Sequence, residues 1–419
     1  MQVDSDATQH LQKAASAARD AARALAKSPE SQRNAALCAM AKHLRDDAEK
    51  IFAANATDLA AFTGSNAFRD RLALNPARLD AMAKGLEDIS SLPDPIARIL
   101  SEWTRPNGLR IRRVAQPLGV IGIIYESRPN VGADAAGLCL KSGNAVILRG
   151  GSESYHSAQA IHAALTAGLR DTHLPEAIVQ VVPSTDRAYV AAMLAAAGLI
   201  DLVIPRGGKS LVERVQQEAR VPVLAHAEGL CHTYVHAAAD PAMARAIVLN
   251  AKLRRTGICG ATETLLIDRA IAPSLLPGII ADLRAQGCDF RADDEARVLI
   301  PDLPAATDQD FYTEWLDSIL SVRVLDGVEE ALAHIARYGS EHTDAIITED
   351  AQAAEKFLAG VDSAVGLWNA STQFCDGGEF GFGAEIGIAT GRVHARGPVG
   401  LEQLCTYRYV VTGTGQVRP

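Results

Sequence analysis

The stretch LGVIGIIYESRPNVGADAAGLCLKSGNAVILRGG, residues 118 to 151, decides the fold. Two short runs of almost wholly apolar residues, LGVIGIIYES and NAVILRGG, flank a helical stretch. Apolar strands of this kind are buried on both faces, so they predict a parallel sheet with helices on either side. The same pattern recurs in IVQVVPS, LIDLVIPRGG and VPVLAHAEG, which extends it to a doubly wound α/β domain. A second alternating series, TETLLID, SILSVRVL, TDAIITED and SAVGLWNA, follows residue 262 and predicts a second α/β domain. The first hundred residues are instead alanine-rich and helical in pattern, with Ser28 placed to cap and Pro29 to occupy a first helical position. Two segments fit neither domain: NGLRIRRVAQPLG, residues 107 to 119, and the tail LCTYRYVVTGTG from Leu404. Both have strand or hairpin character, suited to pairing with each other or across a subunit interface.

Composition narrows the function. A chain of 419 residues, 48% hydrophobic and 22% charged, buries a large core in two or three compact units. Its seven cysteines are scattered singly without a C-x-x-C and without a charged-then-apolar leader, which argues against a secreted disulfide framework and for a reducing cytoplasm. The longest apolar run, VAAMLAAAGLI from Val190, meets Asp201 well before the roughly 18 residues of a membrane span. A net charge of -9 disfavours a nucleic-acid surface. Small molecules and identical subunits are the partners that remain.

No G-x-G-x-x-G occurs in the chain. RGGKS at 206 to 210 imitates the end of a phosphate loop, but the first glycine of that motif would fall at Val203, inside a strand. Gly207 and Gly208 either open a helix N-terminus toward a phosphate or form a plain turn. His226, Cys231, His232 and His236 suggest metal ligands, yet in an extended CHTYVH Cys231 faces away from His232 and His236, so no metal is assigned. Cys259 has the richer setting. In NAKLRRTGICGATETLLID, residues 250 to 268, the cations Lys252, Arg254 and Arg255 precede a turn of small residues that admits a substrate carbonyl. The thiol is a nucleophile or a buried structural cysteine, and the basic run attracts an anion or is a solvated helix face. Cys38 and Cys139 sit in apolar helical patterns and belong to the core.

Longer motifs add to this. IGIIYESRPNVGADAAGLCLKSGNAVILRGG, LIDLVIPRGG, EGLCHTYV, NAKLRRTGICGATETLL, YGSEHTDAIITED and WNASTQFCDGGEFGFGAEIGIATGRVHARGPVGLEQL together cover most of the chain beyond residue 110. In these the chain resembles the glutamate-5-semialdehyde dehydrogenases, or gamma-glutamyl phosphate reductases, a branch of the aldehyde dehydrogenase superfamily. The resemblance implies a Rossmann-like NADP-binding domain over 1–106 and 119–240, a catalytic domain over 241–395, and an oligomerisation flap from 107–118 and 396–419. It makes Cys259 the nucleophile. Arg149 stands where many members have a lysine on the adenosine ribose, and Ser152 replaces a glutamate that would repel a 2'-phosphate, which implies NADP(H). Gly207 and Gly208 join the cofactor site, and Glu385 matches the glutamate on the nicotinamide ribose. Arg255, Asn369 and Ser371 are the candidates for holding substrate. The superfamily's oxyanion asparagine has no clear counterpart, with Ser127 and Asn130 as candidates; Gly260 replaces the asparagine that often follows the nucleophile, and Glu228 is not assigned as a hydrolytic base. The implied reaction is NADPH-dependent reduction of L-glutamyl 5-phosphate to L-glutamate 5-semialdehyde through a cysteine thioester, in L-proline biosynthesis. The alternative is hydrolytic oxidation of a small aldehyde to its acid. A homo-oligomer, dimer or tetramer, and functional coupling to glutamate 5-kinase are also implied.

Overall fold

The structure is a computed structural model that describes residues 5–126, 128–226 and 228–418. It contains two compact units, Met1–Ala225 with Gly381–Gly387 and Val399–Pro419, and His226–Phe380 with Ile388–Pro398.

In the first unit, Val120–Tyr125, Ala145–Arg149, Val179–Val181 and Leu202–Arg206 form a parallel sheet. Val120–Tyr125 is buried throughout and lies between Ala145–Arg149 and Leu202–Arg206. The chain therefore builds outward through residues 145 and 179, then crosses back to place Leu202–Arg206 on the opposite side. The carboxyl ends of Val120–Tyr125 and Leu202–Arg206 flank that topological switch, the usual place for a ligand in an open α/β sheet. Helix Ser5–Leu25 covers one face with Leu11, Ala15, Ala18 and Ala22, whose spacing of four, three and four residues makes one helical stripe. The expected strand in VPVLAHAEG is reduced to a bridge between Val203 and Val223, because Pro222 has no N–H to donate.

The two orphan segments pair with each other. Arg110–Pro117 is antiparallel to the tail strand Cys405–Thr412, and Ile99–Thr104 joins on its other edge. Asn144 fastens the tail, accepting from Gly119 N at 2.8 Å and donating to Leu404 O at 2.9 Å. Ile99–Thr104 falls in the part of the chain expected to be helical; as a half-exposed strand, ILSEWT, it has no apolar face long enough to announce itself.

The second unit is a six-stranded parallel sheet. Its order is Val365–Trp368, Thr343–Ile347, Cys231–Val235, Thr262–Asp268, Ile319–Leu325, Asp289–Ala292. Alternate side chains go to opposite layers: Leu265 and Ile267 pack with Val248, Leu276 and Ile280, whereas Leu266 packs with Ala331, Ile335 and Phe357. The division between units falls at Ala225 and His226, earlier than the residue 241 expected, because Cys231–Val235 ladders with Thr262–Asp268 and Thr343–Ile347. Residues 381–387 and 399 onward return to the first unit. Among the described residues no helix is long and apolar enough to cross a membrane.

Candidate active site

Register in the second sheet assembles the site. Cys231 stands opposite Thr262 and His232 opposite Asp344, so the residues just before three adjacent strands converge: Gly229, Cys259 with Gly260, and His342. Parallel strands lie about 4.8 Å apart, close enough for these loops to touch. Cys259 sits in the turn closed by Ala261 N to Ile258 O, 3.0 Å, between helix Pro241–Leu253 and the strand Thr262–Asp268. It is half-buried.

Small residues are required around it. A Cβ on Gly229 would meet Cys259 Cα and C at 2.7 Å, and one on Gly260 would meet Thr372 O at 3.2 Å. Behind the nucleophile, Cys231 Sγ donates to Cys259 O at 3.0 Å, and burial holds the Cys231 thiol protonated by raising it well above the usual range. Gln373 donates to Ala251 O at 2.9 Å and Arg255 O at 3.2 Å, which ties WNASTQF to the nucleophile loop. A hydroxyl chain runs Thr233 to Thr262, 2.6 Å, and Thr262 to Thr372, 3.0 Å.

Two histidines face the thiol. A ring nitrogen of His226, a ring nitrogen of His342 and Cys259 Sγ all lie within 4.8 Å of one another. His226 Nδ1 is 2.7 Å from Ile388 O. His342 is fully buried, and desolvation, helped by His226, pushes its ring down to about 3, so it stays neutral. Of the His226, Cys231, His232 and His236 set, to which no metal is assigned from the sequence, two rings turn to other partners: His232 Nδ1 bonds Asp344 Oδ1 at 2.7 Å, and His236 Nδ1 bonds Thr348 Oγ1 at 2.9 Å.

The basic cluster divides. Lys252 is 0% exposed and its Nζ lies 2.5 Å from Glu263 Oε2, itself 1% exposed, so this cation is consumed by a buried pair and does not face substrate. Arg254 and Arg255 are exposed, with Arg254 reaching Gln373 Oε1 at 3.4 Å. Asn369, at φ 52°, accepts from Thr348 N at 2.8 Å and donates to Thr348 O at 2.9 Å, so its amide is spent on the backbone. Ser371 caps a short 3-10 turn through Gln373 N, 3.3 Å. Asn130 is occupied by Asp134 Oδ2 at 3.0 Å, and Ser127 lies outside the described residues.

The first unit holds the cofactor candidates by itself. Gly207 and Gly208 connect Leu202–Arg206 to helix Lys209–Glu218, at the switch point. Gly208 N donates to Glu126 Oε2 at 3.0 Å, and space beside Gly208 is open, so this helix end already receives an anion. Arg149 ends the strand Ala145–Arg149, donates to Thr185 O at 3.0 Å, and keeps a buried Nε without a hydrogen-bond partner. Ser152 opens the 3-10 turn that follows. Glu385 is half-buried in the 381–387 segment, and at Gly387 of that segment a Cβ would meet the Arg206 side chain at 2.8 Å. An open switch point, an anion-receptive helix end and an incompletely bonded guanidinium suit a nicotinamide dinucleotide.

Comparison with known proteins agrees with this layout. The aldehyde dehydrogenase family model matches residues 1–296. The gamma-glutamyl phosphate reductase of Gluconobacter oxydans is 70% identical over 403 residues, covering 96% of this chain and 94% of that protein. The one from Acidiphilium cryptum is 68% identical over 409 residues, covering 98% and 97%. The crystal structure of gamma-glutamyl phosphate reductase from Thermotoga maritima superposes with a TM-score of 0.95 at 42% identity, covering 97% of this chain and 99% of that one. An acetylating aldehyde dehydrogenase from Geobacillus thermoglucosidasius, 18% identical with a TM-score of 0.69, shares the fold. A parallel-sheet pair, a small-residue turn around one thiol and these matches along nearly the whole chain place it in the aldehyde dehydrogenase family, among the gamma-glutamyl phosphate reductases.

Proposed function

We propose that the chain reduces L-glutamyl 5-phosphate to L-glutamate 5-semialdehyde and phosphate, with NADPH as reductant, in L-proline biosynthesis. The observation that carries this is the half-buried Cys259 thiol, held on a small-residue turn at the amino ends of three central strands. Cys259 as thiolate attacks the acyl carbon, phosphate leaves, and a thioester remains; covalent catalysis divides one difficult step into two. The dinucleotide, when bound, supplies the hydride. Cys259 is then released as the thiohemiacetal collapses to the aldehyde. Gly207, Gly208, Arg149, Ser152 and Glu385 are assigned to the cofactor, with Arg149 beside Ser152 favouring a 2'-phosphate. Arg255 is the remaining candidate for an anionic group of the substrate, since Asn369 and Ser371 are engaged locally.

A homo-oligomer built on the three-stranded sheet is supported by its exposed Trp103, Tyr407, Tyr409 and Val411. A cytoplasmic location and functional coupling to glutamate 5-kinase complete the proposal. Phosphate dependence tests it: purified protein should reduce NADP with glutamate 5-semialdehyde when phosphate or arsenate is present, and NAD more slowly. Equal oxidation without either anion would establish hydrolytic aldehyde oxidation instead.

A further inference from the structure

A sulfur that attacks an acyl carbon drives negative charge onto the acyl oxygen, and a donor already aimed at that oxygen is usually the largest single aid to such a step. The side chain the sequence offers for this, Asn130, is engaged by Asp134 Oδ2 at 3.0 Å. The backbone beside the nucleophile offers another donor. The turn closed by Ala261 N to Ile258 O has the Cys259–Gly260 peptide at its middle, and a planar trans peptide points its carbonyl and its N–H to opposite sides.

The carbonyl side of this peptide is held by a second cysteine. Cys231 Sγ stands 3.0 Å from Cys259 O, which can only accept, so the S–H is the donor. The other acceptor near that sulfur, His342 Nδ1, is farther away at 3.5 Å and has Thr343 Oγ1 at 2.9 Å. Cys231 is 0% exposed, and burial keeps its thiol protonated, so the donor persists while Cys259 ionises. In the ladder Cys231 pairs with Thr262 but His232 with Thr264, and a bulge of this kind re-aims side chains where pairing ends. On the opposite side, Gly260 is buried and its N–H makes no hydrogen bond among the described residues. Buried backbone donors are almost always paired.

We propose that Cys231 is a positioning residue: its S–H holds the Cys259 carbonyl and so presents the Gly260 N–H to the acyl oxygen as that oxygen gains charge. The inference rests on the thioester reading of Cys259. In this half-reaction the thiolate pair forms the C–S bond and the carbonyl pair moves onto oxygen beside Gly260 N–H. It then returns as the C–O bond to phosphate breaks. Phosphate departs with that bond's electrons and takes its proton from water, and nothing is oxidised or reduced.

The test uses the full-length protein and two probes of one sulfur. p-Nitrophenyl acetate acylates Cys259 through an oxyanion, whereas iodoacetamide alkylates it at a saturated carbon and forms none. Removing an oxyanion donor outright costs about 100-fold or more, so releasing the peptide that carries it, in Cys231→Ala, should slow acylation about 10-fold. The donor acts in the transition state, so kcat for glutamyl phosphate should fall by a like factor, with KM and the alkylation rate within about twofold of wild type. Cys231→Ser, which keeps a donor on the same carbon, should recover most of the acylation rate. Cys231→Val, larger and without a donor, carries the same prediction if thermal melting shows C231A unfolded. Undiminished acylation in C231A, an equal loss of acylation and alkylation, or a C231S no faster than C231A would each overturn the proposal. If acylation by p-nitrophenyl acetate depends on Cys231 while glutamyl phosphate is not reduced, the reductase reading fails and the role of Cys231 stands.

Discussion

Gly229→Ala asks whether backbone contact positions the nucleophile. The new Cβ would sit 2.7 Å from both Cys259 Cα and Cys259 C. Ordinary carbon contacts begin near 3.5 Å, and the Cys259 carbonyl oxygen would lie closer still than these carbons, so relief requires a shift of about 1 Å or more by one of the two backbones. Residue 229 resists moving because its N–H is bonded to Glu314 Oε1 at 2.9 Å and its carbonyl accepts from Cys231 N at 3.0 Å. The clash falls on the backbone of Cys259 itself, so the shift is passed to the turn that carries the sulfur. Overpacking of this kind costs about 1–3 kcal/mol of stability, and displacing a reacting atom by about 1 Å costs about 100-fold in rate. Phosphate-dependent NADP reduction should therefore fall about 100-fold in kcat/KM, with a modest drop in Tm. Activity within about twofold of wild type would refute the positioning role, since it would require the overlap to be absorbed without moving the sulfur.

Other perturbations separate structural from chemical roles. Lys252→Met should cost about 3–5 kcal/mol in urea unfolding, because Glu263 is left buried without its cation; the double variant K252M/E263L should recover most of it, and an additive loss would contradict the pairing. Asn369→Ala should lose about 2–3 kcal/mol through its left-handed backbone and two bonds to Thr348, with substrate KM unchanged; a raised KM at constant Tm would return Asn369 to the substrate site. Burial pushes His334 down to about 2 and His342 to about 3, so both are neutral when folded and protonate near 6.5 only when unfolded. Their contribution is present above about pH 6.5 and is lost as pH falls toward the folded values, by up to about 1.4 kcal/mol per pH unit for each ring. His334→Gln should reduce that slope by half, and a flat urea midpoint between about pH 6.5 and 4 in the wild type would argue against neutral burial.

The fold was legible wherever apolar runs end in turn residues, as in Val120–Tyr125, Ala145–Arg149 and Thr262–Asp268. The half-exposed Ile99–Thr104 carries no such run, and a buried strand like Cys231–Val235 reads alike in either sheet, which is why the unit boundary was placed late. The site was legible in part. Cys259 stood out by its neighbours in sequence, but the bond of His226 to Ile388 O and its place within 4.8 Å of Cys259 and His342 join positions far apart in the chain, which no local pattern encodes. Lys252 was readable in principle: it continues the buried stripe of Ala244, Val248 and Ala251 at helical spacing, whereas Arg254 and Arg255 fall beyond the helix end. Asn369 looked like a substrate ligand because its left-handed turn, which consumes its amide, is invisible in WNAST.

The most direct measurement is the mass of the acylated protein. Incubated with glutamate 5-semialdehyde and NADP in the absence of phosphate, the enzyme should gain one glutamyl acyl group on the peptide that carries Cys259, and added phosphate should discharge it rapidly while water does so slowly. An adduct on another cysteine, no adduct at all, or discharge by water as fast as by phosphate would contradict a Cys259 thioester reserved for phosphate.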